Sequence, residues 1–145
     1  MTTLKTIHEL TELAEVPATG DELVIYDASA GSTKRVSRSN FLGYTEYVAL
    51  LTQSGTNAPT AVVVKNDTGA TVTYGYSAAG LYTMTFGSAV LTANKTVAIL
   101  VSDDGVYTFA ARYASTTAIN LSTFDSGIAV NSVLSSTPVI VRIYV

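Results

Sequence analysis

Few side chains in this sequence belong to types that carry out chemistry, and their number limits what they can do. His8 is the one histidine and cysteine is absent, so a Ser-His-Asp relay would have to recruit that one residue. A zinc centre would have to be built from oxygen ligands alone. Neither is expected, and no cofactor or metal is. Asp103-Asp104-Gly105 lacks the alternating oxygen ligands and distal Glu of an EF-hand loop, and reads as a hairpin turn. Asp67, Asp103, Asp104 and Asp125 all fall in turn-forming stretches; a glycosidase carboxylate pair stays open there, but turn chemistry accounts for them.

Ala28-Ser-Ala-Gly-Ser-Thr-Lys34 places Gly, Ser, Thr and Lys after a predicted strand, as a phosphate loop does. The spacing fails, because the early glycine is missing and Arg35, rather than Ser or Thr, follows the lysine. Lys34, Arg35 and Arg38 form the one basic cluster. They stand beside Asp21, Glu22 and Asp27 in a chain of net charge −3 and pI near 4.9, which fits a mixed docking surface better than a phosphate-binding one. Nucleic acid is not an expected partner. Asn66-Asp-Thr68, Asn94-Lys-Thr96 and Asn120-Leu-Ser122 match the glycosylation pattern, but no secretory signal is recognised to give them meaning. An enzyme is therefore not the expected reading.

The elements that position these residues follow from composition and period. The chain has 145 residues, 48% of them hydrophobic and 13% charged, which suits one main domain with a real core and a small appendage. Charge is unevenly placed: residues 1–46 carry four basic and seven acidic side chains, whereas residues 47–145 carry four of each. A β-rich domain so poor in charge is at home in an assembly. No stretch reaches about eighteen uninterrupted apolar residues, so the chain is expected to be soluble, made in a cytoplasm and without a membrane partner.

From Tyr44 onward, short β-branched and aromatic runs alternate with Gly, Asn, Asp and Pro turns, the pattern of an antiparallel β-sandwich of jelly-roll or immunoglobulin-like type. Strands are predicted at Tyr44–Gln53, Thr60–Lys65 and Thr71–Tyr76, then through Tyr82, Met84 and Phe86. Val72, Tyr74 and Tyr76 should share a face with those three, forming an aromatic-faced hairpin. Thr96–Val101 is apolar on both faces and predicts a central, doubly covered strand. Val106–Tyr113, Ala118–Phe124, a weaker run at Ile128–Val133 and Pro138–Val145 complete the set.

The first forty residues differ. Leu4, Ile7, Leu10 and Leu13 line one face if residues 4–15 are helical, but the threonines leave an extended arm equally open. Leu23–Tyr26 and Lys34–Ser37 predict a small hairpin, followed by one helical turn through Phe41 and Leu42, capped by Ser37 or Ser39. A two-stranded hairpin is barely stable alone. Its apolar side must be covered by something else.

In order, Ile7–Leu13, Pro17–Asp27, Ser29–Val36 and Asn40–Leu42 resemble the N-terminal module of tailed-bacteriophage virion proteins, notably tail fibres, head fibres and related appendages. The following Tyr47–Pro59 is similar to a β-rich domain of phage structural proteins. The resemblance implies an attachment module at 1–43, a sandwich at 44–145, and association as a homotrimer. Leu4, Ile7, Leu10, Leu13, Leu23, Ile25, Lys34, Arg35, Arg38 and Phe41 become the expected attachment and oligomer contacts. The implied partners are other copies of the chain and a major capsid or other virion protein, and the implied place is the capsid surface or tail. One domain after the adaptor is short for a fibre, which favours capsid decoration or a short head-fibre-like appendage. The alternative is a tail-associated module whose tyrosines meet a receptor or host surface glycan.

Overall fold

The structure, a computed structural model, describes residues 22–102 and 105–145, without the side chains of Glu22, Leu23, Ser37, Arg38 and Ser39. The chain divides into two units between Phe41 and Leu42. In the first, β1 (Glu22–Asp27) and β2 (Ser32–Ser37) form an antiparallel hairpin, and α1 (Arg38–Leu42) is one short helical turn. Its segments match the strand, loop, return and short helix that the sequence predicts.

The second unit is an all-β antiparallel sandwich. Its nine strands are β3 (Tyr44–Thr52), β4 (Thr60–Asn66), β5 (Val72–Ala78), β6 (Leu81–Phe86), β7 (Thr96–Leu100), β8 (Tyr107–Tyr113), β9 (Ala118–Asp125), β10 (Ile128–Ala129) and β11 (Thr137–Tyr144). One sheet has the order β4-β3-β11-β7. The other runs β5-β6-β9-β8, with the short β10 also paired to β9. The hairpins β3–β4, β5–β6, β8–β9 and β9–β10 stay within a sheet, and the other connections carry the chain across.

Two-residue alternation decides which side chains are buried. On β3 the inward residues are Tyr47, Ala49 and Leu51; on β11 they are Val139, Val141 and Ile143. The opposing sheet supplies Tyr82, Met84 and Phe86 from β6 and Ile119 and Leu121 from β9. Val72, Tyr74 and Tyr76 lie opposite Phe86, Met84 and Tyr82, so the aromatic-faced hairpin forms as predicted. Across the seam the Tyr47 and Tyr74 hydroxyls share a hydrogen bond of 3.1 Å, and the Tyr47 ring meets Phe86 edge-on at 5.8 Å. Burial pushes both tyrosines above the usual phenol range, so both stay neutral and able to donate.

Two expectations fail. Thr96–Val101 does not run through the centre of a sheet: β7 is an edge strand, and Val97 and Ile99 stand nearly half exposed. The run is apolar on both sides because its outer face belongs to a largely aliphatic surface, not because both sides are covered. The weaker run at 128–133 pairs only over Ile128–Ala129. Beyond it Ser132 has φ 63°, a left-handed turn that ends the ladder, and the Asn131 side chain reaches instead into a polar network.

That network staples the sheets at one end. The buried Gln53 accepts at Oε1 from the Ser132 amide at 2.6 Å and from the Tyr82 hydroxyl at 3.0 Å, and donates from Nε2 to the Gly55 and Asn57 carbonyls. Asn131 Oδ1 accepts from the Gly80 amide at 2.8 Å and also lies 3.2 Å from the Tyr82 hydroxyl. Among the described residues no buried side-chain nitrogen or oxygen lacks a partner.

Gly80 makes the close approach possible. Its φ is +63°, and a Cβ there would overlap the Thr123 carbonyl and come within 2.7 Å of the Val130 nitrogen. Gly80→Ala should therefore destabilise the sandwich by about 3 kcal/mol, from left-handed strain plus backbone clash. Urea unfolding monitored by tyrosine fluorescence checks this.

Candidate functional site

Two places in the described structure present chemistry at the surface. The first is the hairpin. Cross-strand pairing puts Ile25 opposite Lys34 and Val24 opposite Arg35. Leu23, Ile25 and Lys34 are therefore placed on one face with Asp27, and Val24, Tyr26 and Arg35 on the other. Asp27 organises the loop that follows. Its Oδ1 accepts from the Ser29 amide at 3.1 Å, the Ser29 hydroxyl at 2.6 Å and the Ala30 amide at 3.1 Å, and its Oδ2 accepts from Lys34 Nζ at 2.6 Å. Gly31, at φ +60°, then closes the turn. Bonding to Lys34 first, then to Ser29 and Ala30, lowers the Asp27 carboxyl from 3.8 to about 2. Asp-x-Ser-x-Gly is thus a self-satisfied turn, and no phosphate-binding cradle.

Among the described residues this two-stranded hairpin has no second layer to bury its apolar residues. Val24, Ile25 and Tyr26 are all exposed, Tyr26 at 68%, and Phe41 on α1 is exposed at 67%. Of the residues expected from sequence to make attachment contacts, Ile25, Lys34, Arg35 and Phe41 are exposed, and Lys34 also braces the turn through its ion pair with Asp27. Leu23 and Arg38 are placed by their backbone only. Leu4, Ile7, Leu10 and Leu13, like His8, Asp103 and Asp104, lie outside the described residues.

The second place is the outer face of the four-stranded sheet, which sequence reasoning did not single out. Register sets Val62 of β4 beside Leu50 of β3 and Pro138 of β11. The next row holds Lys65, Val48, Ile140 and Ile99, and the one after it Glu46, Arg142 and Val97. Between Val63 and Lys65 the β3–β4 register shifts, leaving Val64 as a bulge. At the Tyr44 end the apolar rows give way to a closed ionic cluster. Glu46 accepts from Arg142 Nε at 2.7 Å and from Lys65 Nζ at 3.0 Å, and Lys65 also meets Asp67 at 3.0 Å. The Arg142 guanidinium lies 5.0 Å from the centroid of the Tyr44 ring, and Tyr44 contacts Tyr144.

Burial raises the Glu46 carboxyl, but hydrogen bonds from Arg142 and Lys65 outweigh it and leave the group below its ordinary 4.5. Lys65 is raised: burial opposes its charge, and Glu46 and Asp67 more than compensate. The cluster's members are 19 and 96 positions apart in the chain. Its one sequence signal is a charged residue at an outward position in otherwise apolar strands. Among the described residues no group of three or more His, Cys, Asp or Glu converges on a metal position, and no helix is long and apolar enough to cross a membrane. The exposed tyrosines, Tyr26, Tyr113 and Tyr144, sit on three different strands.

Comparison with protein-family models, curated proteins and solved structures finds no match to this chain.

Both carboxylates give measurable expectations. Glu46→Gln leaves Lys65 and Arg142 short of a charged partner and should cost about 2 kcal/mol at neutral pH. A lowered folded pKa means the contribution is complete above the ordinary 4.5 and disappears as pH falls through the lower folded value. The deficit of Glu46→Gln relative to the parent, followed by urea denaturation, should therefore shrink on acidification below that point. The Asp27 carboxyl should titrate near 2 by NMR and move up toward 3.8 in Lys34→Met.

Proposed function

We propose that this chain is a structural component of a bacteriophage virion, a capsid decoration protein or short head-fibre-like appendage, held to the particle by the module at residues 1–43 and associated as a homotrimer. The observation that supports attachment is the hairpin unit itself. It spends a tightly satisfied turn on holding a two-stranded ribbon whose Val24, Ile25, Tyr26 and Phe41 are exposed. Residues of that kind gain about 1.5–3 kcal/mol each when a partner covers them. The sandwich that follows has its own buried core and two differently clothed faces. Anchor and displayed body are thus separate physical tasks in separate units. The order of motifs in residues 7–42, which resembles phage fibre adaptors, gives the partner class. In a symmetric array a modest contact per copy is multiplied over many sites.

Particle incorporation tests the attachment. Deleting residues 1–20, or making the double change Ile25→Lys and Phe41→Lys in the full chain, should lower the copies retained on purified particles about tenfold or more, with the sandwich still folded by circular dichroism. Undiminished incorporation of both variants would remove the anchoring role. Retention on bacterial glycans that disappears on changing Tyr26, Tyr113 and Tyr144 to Ala would instead favour a receptor-binding module.

A further inference from the structure

The two outer faces of the sandwich are dressed in opposite ways. On the five-stranded sheet the outward positions include Thr73, Thr83, Thr85, Asn120, Ser122 and Thr108, a hydroxyl- and amide-rich surface suited to water. On the four-stranded sheet the equivalent positions include Val62, Leu50, Pro138, Val48, Ile140, Ile99 and Val97, beside the paired charges Glu46, Lys65 and Arg142. Alternation gave both sheets an inward apolar set; only one sheet repeats it outward. A soluble antiparallel sheet with one covered face normally alternates apolar with polar.

We propose that the outer face of the four-stranded sheet, together with the free edge at Val62–Val64, is the contact between copies of this chain. This deepens the self-association in the reading above and leaves particle attachment to the hairpin. Charge argues for a second copy as the occupant. The four strands carry only Glu46, Lys65 and Arg142 as charged residues, and Asp67 beside them brings the cluster to zero, with every member in an ion pair. Identical copies bring identical charges together, so a neutral, internally paired face is what self-contact needs. A different partner would be selected by an opposite field that this face does not offer.

Size sets how strong that contact can be. Four strands about 4.8 Å apart, with outward residues over about five positions, give a footprint of roughly 350 Å² before side-chain relief. That is the size of the largest apolar patch on a typical monomer, which is often functional. Two such faces bury about 700 Å² in all, below the size of a stable interface, so the association is weak and depends on concentration.

Protection of the edge is uneven. The bulge at Val64 and the charge of Lys65 blunt one half of β4, the devices by which edge strands avoid indiscriminate pairing. Val62 and Val63 carry no such guard and are 69% and 52% exposed. The unguarded half adjoins the aliphatic rows, so edge and face form one continuous surface.

Sedimentation equilibrium of the full chain, from about 5 to about 500 μM, spans the range in which a contact of this size dissociates. The parent should associate, and Val62→Lys/Ile99→Lys should weaken that association about tenfold or more, because both side chains are exposed and the substitution leaves the core untouched. Val62→Thr/Ile99→Thr, which keeps the branched shape and the fold, should weaken it in the same direction. Thr73→Lys/Asn120→Lys on the other sheet should leave it unchanged. The inference is overturned if the parent is monomeric throughout, if the Val62/Ile99 variants associate like the parent, or if the Thr73/Asn120 variant is weakened equally. None of these outcomes bears on particle incorporation, which is read separately.

Discussion

Everything in the sandwich depends on β11 lying between β3 and β7. Its eight residues pair with β3 from Thr137–Leu51 to Tyr144–Tyr44, and five of them pair also with β7. Val139, Val141 and Ile143 then face the aromatic seam of the opposite sheet, while Arg142 reaches outward to Glu46. The first and last strands of the unit are thus neighbours, with the whole of residues 53–136 between them in the chain. Closing so long a loop costs entropy before any contact offsets it. Without β11 the four-stranded sheet would be two unconnected pieces, β4-β3 and β7, and Glu46 would lack its Arg142 partner.

The local half of this architecture was written plainly in the residues. Val72-Thr-Tyr-Gly-Tyr and Tyr82-Thr-Met-Thr-Phe alternate cleanly, and the break at Ala79-Gly80 lies where the chain turns. Asp27-Ala-Ser-Ala-Gly identified its loop because each residue has a turn role of its own. β7 was misread because alternation reports how polar each side of a strand is, not what lies against it. An aliphatic outer face and a doubly buried strand give the same letters.

What sequence could not supply is long-range pairing of polar groups. Gln53 looks like the last residue of a strand, yet it serves Ser132, Tyr82, Gly55 and Asn57 together. Lys34 was read with Arg35 and Arg38 as one basic cluster. Cross-strand register instead puts Lys34 on the face of Asp27, with which it pairs, and Arg35 on the opposite face. Each of these assignments rests on which strand neighbours which, and period carries no information about that.

The bulge on β4 has a further meaning. Before it, Val62 faces outward and Val63 inward; after it, Lys65 faces outward again opposite Val48. Val64 is an added half-period that shifts the phase of the strand. Were the ladder regular, Lys65 would stand opposite Tyr47, whose side chain belongs to the core, and an ammonium group would be driven among aromatic rings. The irregularity in hydrogen bonding lets a single strand keep its valines in step with one half of the sheet and its cation in step with the other. In β4, then, a one-residue insertion acts as a parity correction, and losing or gaining a residue there would exchange inside for outside.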